Sequence, residues 1–135
     1  FMDWRPDDSA WSVRQVLYHV LGTPAGGIHQ VVQAMLSGEL TEFEIWADLD
    51  NITNERMVYD IEQIRTDIDH FFQELTQTID SADEEDFDGK SALAHLRSRG
   101  ADETRTVQEL LDRAFEGHWR GHLTQISELR DALGM

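Results

Sequence analysis

Residues 91–100 read SALAHLRSRG. Taken as a short helix ended by Gly100, the stretch leaves no segment that passes the pattern test for a strand, and the expected fold is all-α. Its flanks point the same way. Just upstream, SADEEDFDGKS at 81–91 is acidic and polar and reads as a loop. Before that, Met57, Ile61, Ile64, Ile68, Phe71 or Phe72, Leu75 and Ile79 recur at helical spacing and predict one long helix from about Thr53 to Ser81. Downstream, a last helix starts near Thr106 and carries Val107, Leu110, Leu111, Ala114, Phe115, Ile126, Leu129 and Leu133. Gly134 is its natural stop.

Further out, WSVRQV at 11–16 predicts a helix start. Ser12 can cap, Gln15 completes a capping box, and Trp11 with Val16 forms a hydrophobic staple. Val13, Val16, Leu17, Val20 and Leu21 follow in helical register. GTPAGG at 22–27 interrupts that helix with a kink or a short break. Spacing resumes through Ile28, Val31, Val32, Met35 and Leu36 and ends at Ser37-Gly38. Residues 38–53 are a connection whose Phe43, Ile45, Trp46 and Leu49 are expected to tuck against the helices. Three long helices and no sheet imply a single-domain helical bundle over residues 1–135. Helices of this length usually close as four, so a further helix is expected before Phe1 or from a second subunit. A first residue that is not Met fits an earlier segment that has been lost.

Composition narrows the function classes. The net charge is −16, from 27 acidic and 11 basic residues, and Lys90 is the sole lysine. Such a surface repels phosphate backbones and anionic membranes, so neither nucleic acid nor membrane is an expected partner. It also suits a high-salt habitat as well as it suits plain solubility. There are no cysteines, which removes disulfides, thiolate ligands and a cysteine nucleophile. No apolar run reaches the ~20 residues of a membrane span. The expected compartment is the cytoplasm.

Candidate chemistry centres on HWRGH at 118–122. His118 and His122 are four apart on the last helix and share the face of Leu111, Ala114 or Phe115, Ile126 and Leu129. Two imidazoles so placed grip one ion as a chelate. A zinc-protease helix needs HExxH, and Trp119 stands where the glutamate would be, so that class is excluded. A site with an open position needs a third ligand, and His19 on the first helix is the best candidate. His29, His70 and His95 fit less well, since His70 falls off its apolar stripe and the other two sit near breaks. Glu116 and Gln125 lie within a turn of the pair and are candidates to hold a ring nitrogen. The simpler alternative for Glu116 is a solvated carboxylate. Gly117 and Gly121 either let helices approach closely or widen a pocket, and Gly22 and Gly26 either allow a kink or leave room for a substrate.

Together these stretches resemble the DinB-like superfamily. WSVRQVLYHV at 11–20 is similar to its second-helix signature, HWRGHLTQISELRDALG at 118–134 to its last helix, and WADLDNITNERMV at 46–58 to the entry of its third helix. The likeness spans about residues 11–134. It implies a four-helix bundle whose first helix would precede Phe1. It also implies a divalent metal on His19, His118 and His122, nickel or zinc first and manganese or iron next. The chain departs from the family pattern at GTPAGG, where helix formers are more usual.

Three neutral imidazoles leave a metal its full charge and an open position, where it acidifies bound water towards pKa ~7 or binds a thiolate. The resemblance implies an enzyme acting on a small molecule, either an S-transferase using a low-molecular-weight thiol or a metal hydrolase. The competing expectation is a non-catalytic, metal-stabilised bundle serving as a homodimeric interaction module. No general base can be placed from the sequence.

Overall fold

In the computed structural model, residues 1–22, 27–45, 52–96 and 100–135 are described, Ile45 through its backbone. Ser12 opens the first helix, α1 (Val13–Leu21). Its hydroxyl accepts from the Gln15 backbone N–H at 3.3 Å, and the Gln15 side chain accepts from the Ser12 N–H at 2.8 Å. This is the capping box the sequence predicts. Gly22 ends the helix at φ +86°, a backbone setting that disfavours any side chain. The expected break is real: α2 (Ile28–Ser37) begins only after Gly27. A Cβ on Gly27 would stand 2.5 Å from the Leu21 carbonyl oxygen, so close approach fixes glycine there. Residues 23–26, with Pro24 and Gly26, lie outside the described residues.

The expected long helix from Thr53 is two helices. Thr53 caps α3 (Asn54–Val58), and Asp60 caps α4 (Ile61–Ser81) by accepting from the Gln63 N–H. A helix break at Tyr59 turns Met57 and Ile61 outwards, and both are exposed. Ile64, Phe71 and Leu75 are buried as expected. The acidic loop after α4 contains one helical turn, α5 (Asp86–Gly89).

The all-α four-helix bundle is overturned by a three-stranded sheet. Strand β1 (Glu42–Ile45) runs parallel to β2 (Ser91–Leu96), and β2 pairs antiparallel with β3 (Ala101–Thr106). The fold is therefore mixed α/β. SALAHL is a strand rather than the expected helix, and its burial alternates with Ala92, Ala94 and Leu96 inside. The sequence hid this alternation because Leu93 supplies an apolar residue on the outer face as well. A short apolar run of helix formers then satisfies both periods. Likewise 42–45, expected to be plain connection, alternates Glu with Phe and Ile. On the outer face His95 ties all three strands together. Its Nδ1 lies 2.8 Å from Asp102 of β3 and its Nε2 3.2 Å from Glu42 of β1. These two partners raise the imidazole pKa, Asp102 more than Glu42.

The last helix starts as expected with Thr106 as cap and stops at Gly134, φ +80°. It is not uniform: α6 (Val107–Asp112) passes into a π-helical segment (Arg113–Trp119) and then α7 (Arg120–Leu133). Two apolar clusters share it. Tyr18, Leu21, Ile64, Phe71 and Leu75 join α1 to α4, with Leu111, Phe115 and Trp119 against them. Val32, Met35, Ala92, Val107 and Leu110 join α2, the sheet and α6, with Phe43 against them. Phe43 thus tucks in as expected, while the Ile45 side chain, Trp46 and Leu49 lie outside the described residues. No described helix is long and apolar enough to cross a membrane.

Buried arginines hold the helices in place. Arg14, 6% exposed, donates to the Arg56 carbonyl at 3.0 Å and the Tyr59 carbonyl at 2.5 Å, and pairs with Asp3 at 2.7 Å. It thereby satisfies the open C-terminus of α3 and fastens the N-terminal segment. Replacing Arg14 by Ala strands two carbonyls, and urea unfolding should show a loss of about 2–4 kcal/mol. Asp3→Ala should cost under about 1 kcal/mol, because water reaches that carboxylate. Equal losses would refute this division of roles.

Candidate metal centre

Each histidine reaches the site for a local reason. His19 stands in the last turn of α1. Its neighbour Tyr18 is fully buried against α4, where its hydroxyl donates to Asp67 at 2.8 Å. Burial, and then this bond, push the phenol far above its usual pKa, so it stays a donor. Consecutive helix residues point about 100° apart. With Tyr18 fixed towards α4, His19 turns to the side where α7 packs against α1. His118 lies in the π segment and His122 in the first turn of α7. The wider π turns let one continuous helix serve two partners. Phe115 and Trp119 face Phe71 and Phe72 of α4, with ring centroids 5.2–6.5 Å apart. His118 and His122 face α1. Such π segments are frequent at functional sites.

The three imidazoles meet at their Nε2 atoms. His118 Nε2 is 2.9 Å from that of His19 and 3.1 Å from that of His122. One ligand atom from each of the three lies within 4.8 Å of the others. His19, His118 and His122 can therefore hold a metal ion, as the sequence predicts. Nitrogens ~2.1 Å from one tetrahedral ion stand about 3.4 Å apart, so the short pairs need to spread only by a few tenths of an ångström. The ligand set is chemically ready. His122 Nδ1 donates to Gln125 Oε1 at 2.8 Å, which leaves its Nε2 lone pair facing the cluster. Burial of the ring nitrogens, then the nearby His122 and His19, push the His118 pKa down to about 4. His118 is nevertheless exposed as a residue, so solvent reaches the site along its edge.

Of the two candidate supporting residues, Gln125 is in place. Glu116 is exposed, and no hydrogen bond among the described residues ties it to the histidines. Gly117 and Gly121 do not bring helices together, since a Cβ on either meets nothing within 4 Å. His95 is on the sheet. His29 pairs with Glu74 at 2.9 Å in a separate cleft of about 300 Å³, which His70 also lines. Sequence reasoning missed the setting of Trp11. Its indole lies edge-on to His19, centroids 4.8 Å apart, and is stacked on His122 at 5.9 Å and 9°. The cap position beside Ser12 was the only signal, and it pointed to a staple.

The sequence matches no protein-family model and no curated protein, so the chemistry rests on this geometry and its helix motifs.

A depressed histidine pKa has a definite sign. The unfolded chain takes up a proton near pH 6.5 and the folded chain only near pH 4, so acidification across that window favours unfolding. The metal-free protein should therefore lose stability between pH 6.5 and 4 more steeply than His118→Ala. Thermal melts of the two across that range decide it, and parallel curves would exclude His118 as the cause.

Proposed function

We propose that the chain is a divalent-metal-dependent enzyme acting on a small molecule, of the thiol S-transferase or metal-hydrolase type that the DinB-like resemblance implies. Convergence of three Nε2 atoms from two helices carries this reading. The motifs at 11–20 and 118–134 support it, because they fall on the helices that hold the ligands. Nickel or zinc suits three neutral imidazoles best. When bound, the ion would supply a positive charge that acidifies water or a thiol near neutral pH. The chain's own residues do the rest. Gln125 keeps the proton on the far nitrogen of His122. His118, with its low pKa, stays neutral and ligating well into the acid range.

Exposure separates this reading from a sealed structural site in an interaction module. A structural ion is closed off by four protein ligands, whereas a catalytic one keeps a position for solvent or substrate. Three histidines with an exposed His118 fit the second arrangement.

Mass-spectrometric metal analysis of untagged protein should find on the order of one Ni or Zn per chain, lost in His118→Ala/His122→Ala. The loaded protein should then consume a low-molecular-weight thiol with an electrophile, or hydrolyse an ester or amide, at a rate the double variant lacks. Absence of metal after reconstitution would sink the proposal. Metal bound without either activity would move the site to the structural class.

A further inference from the structure

We infer that Trp11 is a positioning residue of the three-histidine site: its indole orients the His19 and His122 rings for ligation before any ion arrives. The inference rests on the metal reading above for its purpose, though not for its geometry.

Trp11 touches the two ligands in two different ways. Against His19 the planes are 65° apart at 4.8 Å, an edge contact. Against His122 they are 9° apart at 5.9 Å, a stack. Both distances are within the range in which aromatic rings attract beyond their burial. The two histidines come from helices about a hundred residues apart in sequence, so one side chain couples them. Trp11 can do this because its backbone is anchored. It precedes Ser12, whose reciprocal bonds with Gln15 fix the chain entering α1. Helical side chains lean towards the N-terminus, so His19 leans back towards the indole.

His122 has its Nδ1 bound by Gln125 and the Trp11 indole lying parallel to its ring. Two constraints of different kinds leave its ring little freedom to turn. His19 has the indole at its edge. The ring nitrogen of His118 meets only the other two imidazoles among the described residues. With no ion bound, the Nε2 pairs at 2.9 and 3.1 Å are hydrogen-bonding contacts, and a proton shared there is one that ligation must displace. A contact from outside the trio keeps the ring planes set while that proton leaves. Trp11 supplies that contact for the two ligands it touches.

The test compares Trp11→Leu, which keeps apolar bulk without a ring, with Trp11→Phe, which restores one. In the metal-free proteins, NMR should show the ring-to-ring NOEs among His19, His118 and His122 lost in Trp11→Leu and kept in Trp11→Phe, a readout that loss of the indole ring current alone does not move. In Co²⁺ titrations Trp11→Leu should bind about ten-fold more weakly than the parent, with an altered visible spectrum. Trp11→Phe should come within about three-fold of the parent and keep its spectrum. Ring-to-ring NOEs that persist in metal-free Trp11→Leu would overturn the inference, whatever the metal data say. So would equal weakening in both variants. If the parent takes up no Co²⁺, the metal reading fails, and the metal-free spectra still decide the role of Trp11.

Discussion

The rotational setting of α1 is the constraint on which the site depends. Nine residues make only about two and a half turns, too short to be stable alone in water. Tertiary contacts must hold it, and those towards α3 and α4 set its rotation. Tyr18 is buried with its hydroxyl on Asp67, and the Arg56 guanidinium lies 4.4 Å over its ring. Arg56 also donates to the Gly22 carbonyl at 2.6 Å, closing the end of the helix. Arg14 reaches from the first turn to the carbonyls that end α3. These contacts pin α1 about its own axis. His19, next to Tyr18, has then no choice of direction.

The sheet does different work. It gathers α2 and α6 around Ala92, Val107 and Met35, while the helical cluster around Tyr18 and Phe71 sits on the other side of Leu111 and Ile28. The last helix runs through both clusters. Its first part anchors in the sheet-side core, its π segment meets the aromatic rings of α4 and carries His118, and His122 follows. A helix fixed at its start by packing can present His118 and His122 at a defined height on α1.

Three basic nitrogens within 4.8 Å of one another are costly to assemble. Burial first, and then the nearby His122 and His19, hold the His118 pKa well below the usual imidazole range. A chain that tolerates this gains a place where a cation is favoured over a proton. Gln125 and Trp11 have the same logic: one fixes a tautomer and the other a ring plane. Neither is a ligand, and both act on His122.

How much of this was legible in the sequence varies with the range of the interaction. Ser12 with Gln15, Thr106, Asp60 and Gly134 mark helix ends through contacts within four residues; the cap foreseen at Ser12, the helix starts foreseen near Thr53 and Thr106 and the stop at Gly134 are present. His118 and His122 share a face through helical geometry alone, and the choice of His19 needed only a helix with an apolar edge. The strands were not legible, because pairing of 42–45 with 91–96 is non-local and alanine and leucine suit either period. The break at Tyr59 was hidden because the apolar spacing continues across it. The setting of Trp11 against His122 joins residues far apart in the chain, which no local pattern encodes. Sequence by itself determined the Ser12 cap, the inward positions of helices it read with the right bounds, and which histidines were available. Tertiary structure alone decided that short ambiguous segments become a sheet and that three imidazoles meet at one point, because both depend on contacts between residues far apart in the chain.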